Sequence, residues 1–417
     1  MAFLRHGCDV SAVCPPGHTL AQVPGIGTLY RYRRLRSLQS LRRAILTANP
    51  DFLIPCDDGV VRQLHTLHAR EPSLRPLIER SLGSPEAYAI LDDRDQLLRI
   101  AAELGLRTPF THVVSSEAGI AAWPKTSAVL KTDGSTGGNG VAITHSLEER
   151  LAAYRKLAKP LTAAIALKRF FIDRNPLSFW LWQTQAKPSV VLQEFIPGRP
   201  ANTMIACWQG EVLASVTVEV IASQGATGAA TVVRFLHNPE IEQASCKLAR
   251  SLRLTGFHGL DFMLEHTENP SVADAAYLIE LNPRCTQLGH LLLPGQGDLA
   301  GILAAKLAGN EIGTGNTLAQ PIAGDTVAFF PQALLWNPDS PYITHGYHDV
   351  PTDAPQLASE LLRGEWPARQ LLSRVYHYFF PLDRAGKANF EIAAQAPASP
   401  TPHQADTHSK EHQLTTP

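Results

Sequence analysis

The stretch Tyr277-Leu-Ile-Glu-Leu-Asn-Pro-Arg284 alternates apolar and polar side chains and is interrupted by a proline near its end. Successive side chains of a strand point to opposite faces. The pattern therefore predicts a strand that presents Glu280 and Asn282 on one face, with Arg284 next in the same alternation. A carboxylate, an amide and a guanidinium group on one face are candidate metal-binding or substrate-binding groups.

A neighbouring strand is predicted just before it, in Gly256-Phe-His-Gly-Leu-Asp-Phe-Met263, and this strand can bring Asp261 across from Glu280. Two carboxylates and the amide oxygen of Asn282 are hard oxygen ligands, which suit Mg²⁺ better than zinc. A solvated polar face is the alternative interpretation. The apolar flanking residues favour a partly buried, paired arrangement, and hence a metal site.

A glycine-rich segment runs from Lys131 to Val141 and reads KTDGSTGGNGV. It joins two predicted strands, Ala128–Thr132 and Val141–Thr144. Glycines let a backbone pass close to an anion and turn its N–H groups inward; the glycines concerned are Gly134, Gly137, Gly138 and Gly140. Lys131 adds a full positive charge. The spacing matches neither the P-loop nor the dinucleotide-binding fingerprint, so we expect a flap over phosphates, with a plain flexible hairpin as the alternative.

A third motif, Val190-Val-Leu-Gln-Glu-Phe-Ile-Pro-Gly198, is an apolar strand that ends in an acid and a Pro-Gly break. The backbone groups of Glu194, Phe195 and Ile196 could line a slot for adenine. Taken alone, this motif is weak.

Composition limits the class of protein. The 417 residues are 44% hydrophobic and 18% charged, which excludes wholesale disorder, and the formal net charge is −1. No global basic field gathers nucleic acid or an anionic membrane. The six cysteines form no C-x-x-C pair, and no apolar run reaches about 18 residues. Charged residues in MAFLRHGCDVSAVC at the start argue against a signal peptide. We expect a soluble cytoplasmic protein.

The first ninety residues alternate predicted strands and helices, which suggests an open parallel sheet. The predicted elements are a strand over Asp9–Cys14, a helix over Leu38–Ala48 and a strand over Pro50–Pro55. Ligands of such sheets bind beyond the carboxyl ends of the strands, where Asp57-Asp58-Gly59 follows, although a solvated turn is equally compatible. An α/β unit of this kind normally begins with a strand before the helix-like start, so we expect either a sheet that is one strand short or a chain whose start has been lost.

Taken in order, these motifs resemble the ATP-grasp superfamily, in the branch nearest the carbamoyl-phosphate synthase large subunit and related carboxylate–amine ligases. The resemblance covers roughly Ser84–Pro331. It includes Asp93-Arg94 before Gly105, Lys131 with its glycine loop, the Glu194 hinge, Asp261 and the Glu280–Arg284 motif. The implied fold is α/β: an N-terminal open parallel domain without its first strand, a two-lobed ATP-grasp module and a short helical C-terminal region.

The resemblance also implies roles. Arg94 and Lys131 correspond to residues on the ATP phosphates, and Gly137, Gly138 and Gly140 to the lid. Glu194, Phe195 and Ile196 correspond to the adenine hinge. Asp261, Glu280 and Asn282 correspond to the Mg²⁺ ligands, and Arg284 to the arginine aimed at an acyl phosphate. One departure concerns the acid that often grips the ribose, because Ala201-Asn202 stands there. Asn202 is a candidate substitute for that acid.

We therefore expect an ATP- and Mg²⁺-dependent ligase, with Mn²⁺ able to replace Mg²⁺, that joins a small-molecule carboxylate to an amine. A homodimer is compatible with this interpretation. The alternatives are an enzyme that activates bicarbonate through carboxyphosphate and a nucleotide-binding remnant without turnover. The expected regions are an N-terminal α/β domain (1–83), linker helices (84–127), a lid subdomain (128–198), a catalytic subdomain (199–331), a helical region (332–386) and a disordered tail (387–417).

Overall fold

Strands of the protein fall into a two-stranded, a four-stranded and an eight-stranded sheet. The computed structural model describes residues 1–132, 140–172, 182–183, 189–265, 274–292, 297–310, 325–364, 366–380 and 390–391. The strands are β1 (Ala12–Cys14), β2 (Leu29–Arg31), β3 (Thr111–Val114), β4 (Ala128–Thr132), β5 (Val141–Thr144), β6 (Val190–Glu194), β7 (Arg199–Trp208), β8 (Glu211–Ser223), β9 (Ala230–Phe235), β10 (Gly256–Glu265), β11 (Ala275–Asn282), β12 (Thr326–Ala328), β13 (Tyr347–His348) and β14 (Phe390–Glu391).

The α-helices connect these strands and cover the sheets. In chain order they are Ala2–Arg5, Ser37–Ala48, Asp58–Arg70, Arg75–Leu82, Tyr88–Asp92, Arg94–Glu103, Glu117–Ala121, Leu147–Leu157, Ala163–Phe171, Pro239–Ser251, Leu299–Leu307, Gln332–Trp336, Pro341–His345, Pro355–Leu362 and Leu371–Phe379. Within the described residues no helix is long and apolar enough to cross a membrane.

The eight-stranded sheet carries most of the buried apolar residues. Its strand order is β11-β10-β7-β8-β9-β12-β13, with β14 paired to β8. The helix Pro239–Ser251 packs on one face through residues such as Ile241 and Leu248. The helix Leu299–Leu307 packs on the other face. Because both faces are covered, β7 and β10 are almost continuously buried, and the polar Asp261 stands out in β10.

The four-stranded sheet has the order β3-β6-β4-β5. The predicted hairpin of β4 and β5 is confirmed, with Lys131 opposite Val141. The strand β3 is not predicted by the sequence, since Thr108-Pro109 precedes it and suggests irregular chain. It lies in the range expected to hold linker helices and pairs with β6, so that range contains a strand of this sheet as well as helices.

The N-terminal region differs in part from expectation. The helix predicted over Leu38–Ala48 is confirmed as Ser37–Ala48. The strand predicted over Pro50–Pro55 is wrong, and the parallel partner of β1 is β2. The two prolines lack N–H donors, and the chain between them bonds elsewhere: Leu53 N donates to Ser81 Oγ at 2.9 Å, and Pro55 O accepts from Cys285 N at 3.0 Å.

The expectation for 387–417 can be compared with the structure at two residues only. Phe390 and Glu391 form β14 and pair with Ser223 and Ala222 of β8, so disorder is wrong for them. The last pair of β8 with β7 is at Glu219, so the end of β8 extends past β7 and can accept another strand there. The rest of the expected tail lies outside the described residues.

Candidate active site

Asp261 lies at the centre of a polar cluster on the eight-stranded sheet. The strand register places it opposite Glu280 of β11 and opposite Asn202 of β7, and the first pairing is the one that the residue spacing predicts. Its Oδ1 accepts from Asn202 Nδ2 at 2.6 Å, and its Oδ2 accepts from Asn282 Nδ2 at 3.1 Å. Burial, and then the Glu280 charge, raise the pKa of the Asp261 carboxyl to about 6.

Glu280 is held by an arginine from a distant helix. Arg94 Nη2 donates to Glu280 Oε1 at 2.5 Å. Asp93 caps the helix Arg94–Glu103 by accepting from Gln96 N at 3.1 Å, which fixes where the helix begins and places Arg94 in its first turn. The structure therefore brings together two sequence-predicted residues that stand 186 positions apart.

Lys131 belongs electrostatically to the same cluster. It is buried in β4, and burial, followed by the charge of Arg94, lowers the pKa of its ammonium group to about 8. The charges of Glu280 and Asp261 act in the opposite direction. Two carboxylates and two cations thus compensate one another across the two larger sheets. We call the set of Asn202, Asp261, Glu280, Asn282, Arg94 and Lys131 the acidic cluster.

Arg284 connects the acidic cluster to the N-terminal region. Its Nε donates to Asp58 Oδ1 at 2.8 Å, and its Nη2 donates to Asn282 Oδ1 at 3.4 Å. Asp58 is the first residue of the helix Asp58–Arg70, which Asp57 caps by accepting from Val60 N at 2.8 Å. The sequence draws attention to Asp57-Asp58-Gly59 but contains no signal that pairs Asp58 with Arg284.

The predicted hinge is tied to the four-stranded sheet. The Glu194 carboxylate accepts from Phe110 N at 3.2 Å and pairs with Lys125. The Glu194 N–H donates to Phe110 O at 2.8 Å, so this N–H already has an acceptor. Phe195 stacks edge-on against His145 with ring centroids 5.4 Å apart, and Ile196 is buried. Reading of an adenine edge by the backbone groups of Glu194, Phe195 and Ile196 stays a prediction.

The glycine loop is described only at its ends. Thr132 N donates to Gly140 O at 2.9 Å and closes the hairpin at its base. Gly134, Gly137 and Gly138 lie outside the described residues. Asn202, which the resemblance relates to the ribose, directs its amide N–H to Asp261, and contact with a ribose stays a prediction.

The oxygen ligands of the acidic cluster suit a hard cation that takes only a few of its ligands from the protein. Within the described residues, no three His, Cys, Asp or Glu side chains come together in the manner of a protein-only metal site. The acidic cluster offers two carboxylates, Asp261 and Glu280, and the amide oxygen of Asn282. Mg²⁺ commonly takes one or two carboxylates, with water and substrate phosphates as its other ligands. The residues present therefore fit Mg²⁺ held together with a nucleotide.

Comparison with known proteins bears on this geometry. Residues 144–287 match the ATP-grasp domain family, a range that begins in β5 and ends just after Arg284. This part of the chain matches an ATP-grasp domain. The matched range includes every predicted site residue from Glu194 onward, while Arg94, Lys131 and the glycine loop precede it. No curated protein sequence matches the chain.

Solved structures of the ATP-grasp fold resemble the chain over about three quarters of its length. The biotin carboxylase domain of Hydrogenobacter thermophilus 2-oxoglutarate carboxylase, solved with MgADP and bicarbonate, has a TM-score of 0.55 at 14% identity, and the match covers 74% of this chain and 66% of that domain. N5-carboxyaminoimidazole ribonucleotide synthetase from Thermus thermophilus has a TM-score of 0.52 at 17% identity, covering 75% of this chain and 76% of that one. The Staphylococcus aureus synthetase of the same type has a TM-score of 0.52 at 11% identity, covering 75% and 74%. These likenesses confirm the predicted ATP-grasp fold.

Proposed function

We propose that the protein is an ATP- and Mg²⁺-dependent ligase that activates a small-molecule carboxylate as an acyl phosphate, joins it to an amine, and releases ADP and phosphate. One observation carries the proposal: Asp261, Glu280, Arg94 and Lys131 meet at one place, although they come from four different elements. Phosphoryl transfer requires carboxylates that hold a metal ion and basic side chains that face the phosphates.

The nucleotide and metal would be held by separate parts of the acidic cluster. Asp261, Glu280 and Asn282 would supply oxygen ligands to Mg²⁺, which when bound neutralises negative charge on the terminal phosphates. Arg94 and Lys131 would neutralise the rest. Lys131 is well suited to this, because burial and Arg94 already disfavour its charge and an arriving phosphate would restore a partner.

Arg284 would receive the substrate carboxylate. A carboxylate resists nucleophiles because it is negatively charged and its oxide leaves poorly, so it must first be phosphorylated. A guanidinium group can fork onto two carboxylate oxygens and keep its orientation as they become an acyl phosphate. The 2.8 Å contact with Asp58 holds Nε of Arg284 and supports a positioning role for Asp58.

The alternative is activation of bicarbonate through carboxyphosphate. It needs the same phosphoryl transfer. It is supported by the similarity to the biotin carboxylase domain that was solved with bicarbonate. A nucleotide-binding protein without turnover is the other alternative. The pairing of Arg94 with Glu280 at 2.5 Å argues against it, since even a partly buried charge pair has a desolvation cost that an unused site has no reason to bear.

The nucleotide product distinguishes these functions. Purified protein is incubated with Mg²⁺, ATP and a panel of carboxylates with and without amines, and nucleotides are separated by chromatography. We expect ADP only when a carboxylate and an amine are both present, and a hydroxamate when hydroxylamine replaces the amine. AMP would overturn the mechanism. ADP that depends on bicarbonate would select the alternative, and no turnover over a broad panel would select the binding protein.

A further inference from the structure

A cavity of about 470 Å³ lies where β1 and β2 end. Its volume lies within the range of small-molecule sites. Four of the residues that line it are arginines within a six-residue stretch: Arg31, Arg33, Arg34 and Arg36. We call this cavity the arginine pocket. It is separate from the acidic cluster, and none of its residues has a role in the function proposed above.

Three arginines of the pocket have no acidic partner among the described residues. Arg31, Arg33 and Arg36 are exposed, and none of the three forms an ion pair with an acidic side chain of the described residues. The residues that line the cavity include no aspartate or glutamate. Arg42, only a few positions further on, pairs with Glu71 at 2.8 Å. Like charges crowded into one cavity repel one another, and an anion bound there would relieve the repulsion.

Side chains in the walls of the arginine pocket are held by contacts within the protein. Arg34 donates to the Phe170 carbonyl, and its guanidinium carbon lies 5.0 Å from the centre of the Phe170 ring. Trp366 forms another wall, and within the described part of the chain its buried Nε1 has no hydrogen-bond partner. A buried donor without an acceptor carries a free-energy cost, which an acceptor atom of a ligand in the cavity would remove.

The arginine pocket is linked to the part of the candidate active site where Arg284 would bind the substrate carboxylate. Gln63 Nε2 donates both to Tyr32 Oη, in the pocket, at 3.0 Å and to Gly59 O at 3.2 Å. Gly59 directly follows Asp58, the partner of Arg284. One side chain thus joins the pocket to the helix turn that holds the proposed carboxylate-binding arginine. The pocket lies beyond the carboxyl ends of the parallel strands β1 and β2, where open α/β sheets bind ligands.

We propose that the arginine pocket binds a phosphate ester group of the substrate, whose reacting end extends towards Arg284. Three guanidinium groups without acidic partners exceed what one carboxylate neutralises and suit a phosphate dianion, which arginine forks recognise well. The aromatic walls accommodate a planar or apolar portion of the same molecule. Naming this ligand as substrate rests on the proposed ligase function, whereas the binding of a phosphate ester to the pocket does not.

Calorimetric titration with phenyl phosphate tests the binding in the absence of ATP and Mg²⁺. Arg31→Gln/Arg33→Gln is the test variant. Arg43→Gln is the matched control, because Arg43 is exposed on the helix Ser37–Ala48 and does not line the cavity. We expect the double variant to raise the Kd at least about tenfold and the control to leave it unchanged. Phenol should not bind, and benzoate should bind more weakly than phenyl phosphate.

The outcomes separate this inference from the proposed function. Equal affinity in the wild type and the double variant, or benzoate binding as tightly as phenyl phosphate, would overturn the phosphate site even if ADP formation is found. In the ADP assay, carboxylates that carry a phosphate ester should be used as substrates, with a KM for the carboxylate raised about tenfold in the double variant and the KM for ATP unchanged. Turnover restricted to carboxylates without a phosphate ester would overturn the substrate assignment while leaving the ligase intact.

Discussion

In the acidic cluster both carboxylates accept hydrogen bonds from neighbouring side chains, whereas in the arginine pocket three guanidinium groups meet no acid among the described residues. Asp261 accepts from two amides, and Glu280 accepts from Arg94 at 2.5 Å. The cluster is largely withdrawn from solvent, and the pocket is open to it. The two regions lie on either side of Arg284 and Asp58.

This difference follows from solvation. A buried charge without a partner costs several kcal/mol, so the acidic cluster must be compensated before any substrate arrives, and its geometry is set in advance. Exposed arginines remain hydrated and tolerate the lack of a partner. The first region is thus suited to chemistry that needs preorganised charge, and the second to selection of a ligand that supplies the missing charge. The following experiments test whether the two regions have these separate roles.

The largest effect is expected for Glu280→Gln. The change removes a carboxylate that is proposed to bind Mg²⁺ and leaves Arg94 without its anion, so ADP formation should fall on the order of 10²-fold or more. Phenyl phosphate binding should be unchanged. Glu211→Gln, an exposed glutamate at the start of β8, is the control. Near-normal ATP consumption by Glu280→Gln would remove Glu280 from the catalytic site.

Lys131→Met should act on the nucleotide. The loss of one charge-assisted contact to phosphate raises the KM for ATP by roughly 10- to 100-fold, and the isosteric methionine preserves packing in the buried β4 position. Lys156→Met on the helix Leu147–Leu157, where Lys156 is exposed, should have no effect. A change in the KM for the carboxylate or the amine, with the KM for ATP unchanged, would place Lys131 at the binding site of that substrate and not at the nucleotide.

Arg284→Lys should lower kcat about tenfold with the KM for ATP unchanged, because lysine keeps the charge but cannot fork onto two oxygens. Asp58→Asn should give a smaller loss in the same parameter, since Asp58 holds Arg284 at 2.8 Å and contacts no reacting atom. Steady-state kinetics with ATP and acceptor varied separately measure both. An Asp58→Asn loss as large as that of Arg284→Lys would assign Asp58 a direct role.

The parts of the site that the sequence predicts are those with local signals. Alternation along two strands places Asp261 opposite Glu280, as the register confirms. The pairing of Arg284 with Asp58 spans 226 positions, and the contact of Arg34 with Phe170 spans 136. Such pairs depend on how whole elements pack, which no short pattern encodes. The strand wrongly predicted over Pro50–Pro55 has the same origin, since its backbone groups bond to Ser81 and Cys285.

The last prediction concerns folding stability and a buried group without charge compensation. His258 lies on β10, and its Nε2 donates to Thr255 O at 3.0 Å. Burial lowers the pKa of its ring to about 4 from the model-peptide 6.5, against the opposing effect of this hydrogen bond. The unfolded chain therefore binds a proton at higher pH than the folded one. Folding stability is unaffected by His258 above about pH 7 and falls as the pH drops from about 6.5 to about 4.

This linkage is worth up to about 3 kcal/mol at the acid end and can be measured by urea unfolding at pH 7.5, 6.0 and 5.0. His258→Gln removes the titrating ring, so it should lower stability at pH 7.5 through lost packing, yet lose less additional stability than the wild type on acidification. His112→Gln, at an exposed position of β3, should retain the wild-type pH dependence. Parallel curves for wild type and His258→Gln would mean that the pKa of the ring is the same in the folded and the unfolded protein. A negative charge near His258 would then have to offset the effect of burial on the ring. The charge compensation found at Asp261 would in that case extend along β10 to His258.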